Sequence, residues 1–338
     1  MSARFHRPEL DCLRFGAFFL VFLHHALPHA STGYPFGGPL AQSLAALARA
    51  GALGVDLFFA LSAYLITELL LREHAATGSL NIRAFYTRRV LRIWPLYYVA
   101  LLVLAPAMAY LRSGDSLPAA YVAGFALLSG NWVCAIAGYP ASSFALLWSV
   151  SIEEQFYLVW PWLVRGNVRR IGTVAVTMLA IASLTRIALA ATGTIHPGVW
   201  CNTLARLDPI AGGALLALKA STPRRWLGTL GLAGLLVIGG FAGHSGWITL
   251  ATYPLTAACA VDILQGVLDA GWGRRFRLPA YLGKISFGLY VFHAAVIELA
   301  GPWLALPLTI AVAALSYRFL ETPFLRLKDR RSWGHALT

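Results

Sequence analysis

Arg14-Phe15-Gly16-Ala17-Phe18-Phe19-Leu20-Val21-Phe22-Leu23-His24-His25-Ala26-Leu27-Pro28 reads as one apolar helix that starts on a cation and ends near two imidazoles. A run of this kind approaching 20 residues is a candidate membrane span. It follows Arg4 and Arg7, and no small-x-small cleavage site leads into a polar mature chain, so it reads as an uncleaved first span. The rest of the sequence repeats the pattern. Of 338 residues, 58% are hydrophobic and only 12% charged, where a soluble domain carries about 25% charged residues. Mean hydropathy is +0.66. Together these exclude an ordinary cytoplasmic enzyme, a disordered chain and a disulfide-stapled secreted domain. The net charge of +13 fits membrane topology better than a nucleic-acid patch, since no polar stretch is long enough to gather it on one face.

Eleven apolar runs are legible, near 14–30, 51–71, 93–111, 119–136, 147–164, 171–191, 203–218, 226–242, 247–269, 281–299 and 303–320. Basic residues decide which of them cross. With the N-terminus in the cytoplasm and 119–136 not crossing, 22 of the 27 Lys and Arg residues fall on the cytoplasmic side. If 119–136 crossed, every later basic cluster would move outside, against the positive-inside rule. The expectation is an all-α polytopic membrane protein. It has about ten transmembrane helices, both termini cytoplasmic, and one re-entrant or interfacial segment near 119–136. Gly124, Ser129-Gly130-Asn131 and Gly138 suit a broken helix there, which is tolerated where protein or water covers it. The apolar runs fill the chain, so one transmembrane domain over 1–338 with no fused soluble domain is expected. Cys12, Cys134, Cys201 and Cys259 form no C-x-x-C pair and no His-Cys zinc spacing. They read as small apolar fillers, and no metal site is expected.

Ionisable groups inside such spans cost about 2.5–3.5 kcal/mol each, so each needs a reason. The plain one is a structural ion pair. Eleven residues turn a helix through about 1100°, which puts Arg14, Phe18, Val21 and His25 on one stripe, with His25 about 16 Å further out. His24 points elsewhere. In the assigned topology Asp56, Glu153 and His293 share the outer half with His25. Ser151-x-x-Glu154 fits a capping box, which gives Glu154 a structural job and leaves Glu153 without one. Arg206 and Asp208 begin another span from the outer side and can simply pair with each other. Four ionisable groups at one depth are more economically explained by a site open to the outer face, in which an imidazole beside acids serves as general base. On the inner side, Arg88, Arg89 and Arg92 stand at the entrance of a span, with Arg88 and Arg92 on one face. They suit either a topology anchor or a phosphate clamp. No Walker loop or G-x-G-x-x-G is present, which excludes an ordinary ATPase or dinucleotide enzyme.

Taken in order, these motifs resemble the acyltransferase 3 family of integral-membrane O-acyltransferases. Asp11-x-Leu13-Arg14 with His25 matches its R-x10-H opening, and Gly54-Val55-Asp56-Leu57-Phe58-Phe59-Ala60-Leu61-Ser62 its second-span motif. Arg88-Arg89-x-x-Arg92-Ile93-x-Pro95 matches its basic motif, and Trp148-Ser149-x-x-x-Glu153-x-x-Phe156-Tyr157 its Trp-Ser/Glu motif. Ser286-x-x-Leu289-Tyr290-x-x-His293 and Glu321-Thr322-Pro323-Phe324 complete the set. Ala63 and Phe287 depart mildly, standing where Gly and Tyr are usual.

The resemblance implies acyl-CoA, most often acetyl-CoA, as co-substrate, with no permanently bound cofactor. It implies a hydroxyl acceptor on an extracytoplasmic carbohydrate or glycolipid, in a bacterial-type cytoplasmic membrane. Placed on this sequence, His25 would be the base, with Glu153 or Asp56 orienting it. Arg88, Arg89 and Arg92 would meet the CoA phosphates. Arg14 would contact the donor or support His25. His293, Ser286, Tyr290, Arg206, Trp148 and Ser149 would support the acceptor side. Direct transfer and a transient acyl-enzyme both remain open. Any further acceptor handling would fall to a separate extracytoplasmic partner. The expected partners are membrane lipid, acyl-CoA and the acceptor, without nucleic acid. A small-molecule or antibiotic acceptor is the alternative within this class. A secondary transporter or flippase is the alternative outside it, although no inverted repeat is visible.

Overall fold

A computed structural model describes residues 7–114, 117–165, 167–218, 227–241, 244–270 and 275–333. Arg4, Lys219, Arg224, Arg225 and Arg274, counted above among the cytoplasmic basic residues, lie outside them. Among the described residues the chain is helical and holds no strand. In chain order the helices are α1 (Pro8–Ala26), α2 (Gly38–Gly51), α3 (Gly54–Thr77), α4 (Ile82–Val99), α5 (Ala105–Ser113), α6 (Ala119–Ala126), α7 (Gly130–Ala137) and α8 (Leu147–Val164). They continue as α9 (Arg170–Ala191), α10 (Leu207–Leu218), α11 (Leu227–Phe241), α12 (Thr249–Ala270), α13 (Arg277–Lys284), α14 (Ser286–Ser316) and α15 (Thr322–Trp333). Among the described residues five stretches are long and apolar enough to cross a membrane: Gly38–Thr77, Ile82–Arg112, Arg170–Ala191, Thr249–Ala270 and Ser286–Leu327.

The chain forms two compact units. One combines Met1–Ala76 with Asn167–Lys284, the other Thr77–Gly166 with Ile285–Thr338. In the first, α1 starts on Pro8, which fits the first turn because its missing N–H is an orphan there anyway, and Glu9 and Asp11 favour the positive helix end. α3 crosses α1 so closely that a Cβ on Gly54 would lie 2.5 Å from the Ala17 carbonyl oxygen. α10 meets α3 in the same way, with a Cβ on Gly213 falling 2.1 Å from the Ala60 carbonyl oxygen. Close backbone approach through small residues is the usual packing of apolar helices, since in lipid they lack a hydrophobic drive to associate. These two crossings set where Asp56 and the start of α10 lie.

In the second unit, the run 119–136 is indeed broken. α6 ends and α7 begins around Leu128, which adopts φ 57. The runs near 281–299 and 303–320 fall on two helical segments of α14, parted where Gly301 (φ 74, ψ 163) leaves the helical region ahead of Pro302. A π-turn, Ala100–Leu104, joins α4 to α5, and a second, Tyr317–Glu321, joins α14 to α15. Both units expose large apolar side chains, with Ile195 73% exposed in the first and Trp303 91% in the second. Arg186, Arg206, Asp56 and Asp208 are each 2% exposed or less. Apolar surface outside and charge inside suit a protein whose solvent is hydrocarbon. Cys12, Cys134 and Cys201 are buried, and all four cysteines are free thiols.

Candidate functional site

In the first unit α1 carries both Arg14 and His25. Arg14 is half-buried, and its Nη1 donates to Asp11 Oδ1 at 2.7 Å, one turn back. His25 Nδ1 lies 2.9 Å from the Val21 carbonyl oxygen. A carbonyl only accepts, so Nδ1 bears the proton and Nε2 carries the lone pair of the neutral ring. The residue is exposed, while Phe18 and Val21 on the same stripe are buried. His24 stands edge-on to His25 at 5.0 Å between ring centres. Its Nδ1 is bound to the Ala48 carbonyl of α2 at 2.9 Å, which makes it a strut between two helices.

Asp56 enters a buried charge network. Arg206 Nη2 donates to Asp56 Oδ2 at 3.0 Å, tying α3 to the start of α10. Asp208 is gripped by both terminal nitrogens of Arg186 on α9, with Nη2 to Oδ1 at 3.0 Å, and Arg186 Nη1 also donates to the Ala205 carbonyl at 2.9 Å. The pairing of Arg206 with Asp208 that their proximity in sequence offers does not form. Residues two apart at a helix start face different ways, and each finds its counter-charge on another helix. Aromatic rings enclose the pair. The Arg206 guanidinium lies 3.9 Å from the Trp200 ring centre and 5.0 Å from that of Tyr253. His244, in the loop before α12, stands 4.4 Å from Trp200. Burial, aided by the neighbouring His196 and Arg206, pushes its imidazole down to about 4, so it is neutral near pH 7.

In the second unit α4 is capped by Asn81, whose Oδ1 accepts from the Ala84 N–H at 2.9 Å. Arg88, Arg89 and Arg92 are half-buried along it. The Arg89 guanidinium lies 5.7 Å from the Phe85 ring centre and 5.5 Å from that of Tyr157. The expected capping box is absent. A 3₁₀ turn, Ser143–Leu146, runs straight into α8, so Ser151 sits inside the helix and donates to the Leu147 carbonyl at 3.3 Å. Buried Glu154 instead accepts from Trp94 Nε1 at 3.0 Å. Glu153 is half-buried on α8.

Three of the expected residues of this unit meet around α14. Ser149 Oγ and Tyr290 Oη lie 2.6 Å apart, and both donate toward the Leu146 carbonyl, at 3.1 and 3.2 Å. Fully buried His293 bonds the Tyr290 carbonyl through Nδ1 at 2.7 Å. Trp148 and Ser286 are buried. The structure therefore brings Asp56 to Arg206, and Ser149 to Tyr290 with His293 one turn along. Sequence reasoning missed Arg186, Asp208, Trp200 and Tyr253 as one cluster. The only signal for it was a lone arginine inside the apolar run 171–191. Among the described residues no group of three or more His, Cys, Asp or Glu side chains is arranged to hold a metal.

Comparison with known proteins follows the same motifs. Residues 7–320 match the family model described as an acyltransferase domain. A Staphylococcus aureus (strain MSSA476) protein named as a candidate O-acetyltransferase is 28% identical over 94% of this chain and 57% of its own length. The peptidoglycan O-acetyltransferase OatA of Listeria monocytogenes is 28% identical over 82% of this chain and 51% of its own. The O-acetyltransferase OatA of Staphylococcus aureus (strain NCTC 8325) is 28% identical over 81% and 52%. The chain spans about half the length of the curated relatives it matches. No solved structure matches it. The family match begins ahead of Arg14 and His25 and runs through the arginine, Trp-Ser/Glu and His293 motifs, stopping one residue short of Glu321. The chain therefore belongs to the acyltransferase 3 family of membrane acyltransferases.

Proposed function

We propose that this chain is a membrane O-acetyltransferase, moving an acetyl group from cytoplasmic acyl-CoA to a hydroxyl of an extracytoplasmic carbohydrate or glycolipid. The observation that carries the reading is the state of His25, an exposed imidazole whose Nδ1–H is committed to Val21, so that its Nε2 is the proton-accepting atom. The acceptor oxygen attacks the thioester carbonyl carbon as Nε2 takes the hydroxyl proton. The C–S bond then breaks, and the proton passes from the imidazolium to the departing thiolate, releasing CoA as its thiol. A transient acyl-enzyme divides the same chemistry into two steps. Arg88, Arg89 and Arg92 take the donor phosphates, and Arg14, held by Asp11, attends the donor arm. Glu153 or Asp56 orients the base, and Ser286, Tyr290, His293, Trp148, Ser149 and Arg206 support the acceptor side. The acceptor class draws support from the relative named for peptidoglycan O-acetylation.

In this reading the domain, over residues 1–338, crosses the cytoplasmic membrane ten times. Both termini are cytoplasmic and 119–136 is re-entrant or interfacial. The broken α6–α7 pair supports that last point. A separate extracytoplasmic partner enzyme completes any later handling of the acceptor.

Transfer from labelled acetyl-CoA by the purified chain tests the base. His25→Ala should lower turnover by about 10²–10⁴-fold, the range for losing general base catalysis, with membrane insertion unchanged. Wild-type activity in that variant would refute the assignment. Replacing Arg88 and Arg92 together by Gln should raise the KM for acetyl-CoA by about tenfold or more with kcat little changed, since phosphate contacts made equally in ground and transition states act on binding. An unchanged KM favours the topology-anchor reading of these arginines.

A further inference from the structure

We infer that the second unit carries a binding site for an anionic phospholipid, in a groove between α4 and α8 that is separate from the arginines proposed to hold acyl-CoA. The groove has a volume of about 550 Å³ and is lined by Arg83, Tyr86, Thr87, Val90 and Leu91 of α4 and Trp162 of α8. Its construction is amphiphilic. Val90 and Leu91 supply an apolar floor. Tyr86 Oη donates to the Leu158 carbonyl at 2.5 Å and fastens one helix to the other. Two exposed arginines stand at the end where α4 begins and α8 finishes. Arg83 lines the groove, and the Arg165 guanidinium lies 5.4 Å from the ring centre of Trp162, itself 54% exposed.

Helix geometry separates this face from the donor site. Tyr86, Thr87 and Val90 lie within about 60° of Arg83 around α4, whereas Arg92 is about 180° away and Arg88 about 140°. The occupant follows from the chemistry. Guanidinium forks suit phosphate oxygens. An exposed tryptophan beside basic residues at the end of a span marks the membrane interface. The floor continues onto the exposed apolar side of α8, where Leu158 is 60% and Val159 50% exposed. A head group with net negative charge therefore meets Arg83 and Arg165, and an acyl chain lies over Val90 and Leu91. A soluble nucleotide has nothing to place on that floor. The inference rests on membrane residence and not on acyl transfer, so the two can fail separately.

Native mass spectrometry of the full chain, released from micelles holding equal amounts of phosphatidylglycerol and phosphatidylcholine, tests it. The wild type should retain phosphatidylglycerol preferentially. Arg83→Gln and Arg165→Gln should each lower that retention about fivefold, in line with the contribution of one basic residue near an anionic surface. Val90→Trp fills the floor without touching charge and should reduce retention of the lipid as well, with helical content by circular dichroism equal to that of the wild type. Equal retention of both lipids by the wild type overturns the site. So does a preference that survives both arginine substitutions, which would mark diffuse surface charge. Displacement of phosphatidylglycerol by palmitoyl-CoA from the wild type but not from Val90→Trp also overturns it, because the groove would then belong to the acyl donor.

Discussion

In the first unit the buried polar groups are ionic, Asp56 with Arg206 and Asp208 with Arg186, wrapped by Trp200 and Tyr253. In the second they are mostly neutral. Ser149, Tyr290 and the Leu146 carbonyl form one group, and Gln155 Nε2 donates to Asn131 Oδ1 at 2.8 Å in another. Glu154 and Glu321 are buried acids there, and Glu154 accepts from the uncharged indole of Trp94. A buried ion pair adds little net stability, because desolvation offsets attraction, yet it is costly to break. A neutral hydrogen bond is worth about 1 kcal/mol and leaves less behind when lost. The first unit is therefore specified by partners that cannot be exchanged one at a time, whereas the second tolerates single losses.

The largest effect should come from Arg206→Met, which strands Asp56 without its counter-charge and should destabilise the protein by about 3–5 kcal/mol in denaturation from micelles. Adding Asp56→Leu should recover most of that loss. A double variant no better than the single one would shift the weight from charge to the aromatic stacking on Arg206. In the second unit Tyr290→Phe removes one hydroxyl and should cost about 1 kcal/mol by the same measurement. A loss as large as that of Arg206→Met would erase the contrast between the units.

The smallest effect concerns pH. His244 is held at about 4 against its ordinary 6.5. The fold therefore keeps it neutral where the unfolded chain takes up a proton. Stability from this group is full above about 6.5 and falls as pH drops toward about 4. His244→Gln should flatten the thermal midpoint against pH in that window. An unchanged slope would place the pH sensitivity elsewhere.

Helix class was legible because apolar runs of span length leave few alternatives, and the break near Leu128 was legible from the glycines and Ser129-Gly130-Asn131 around it. Local hydrogen bonding in α1 was half-legible. The stripe from Arg14 to His25 follows from helix period, but the commitment of Arg14 to Asp11 does not. α2 was not foreseen. Its Ala-rich stretch 41–50 falls between the apolar runs 14–30 and 51–71, and the helix is anchored in part by His24 on Ala48. The ion-pair partners were least accessible. Asp56 and Arg206 are 150 residues apart, and nothing local distinguishes that pairing from Arg206 with Asp208. The Ser151–Glu154 cap was misread because capping motifs presuppose a helix start, and here the preceding 3₁₀ turn moved it to Leu147.

Arg186 bears on how the protein is made. It sits inside α9 with no exposed surface, and its carboxylate arrives only with α10, 22 residues later. A ribosome delivering α9 by itself presents the translocon with an uncompensated guanidinium five residues from the helix end, where the cost is below the about 2.5–3.5 kcal/mol of a helix centre. Once Asp208 has emerged the Arg186 charge is matched within this segment, and Arg206, which emerges with it, has its counter-charge in the earlier Asp56. Entry of α9 together with α10 would spare that cost, and the side chains that later lock the two helices together would then favour their delivery as a pair.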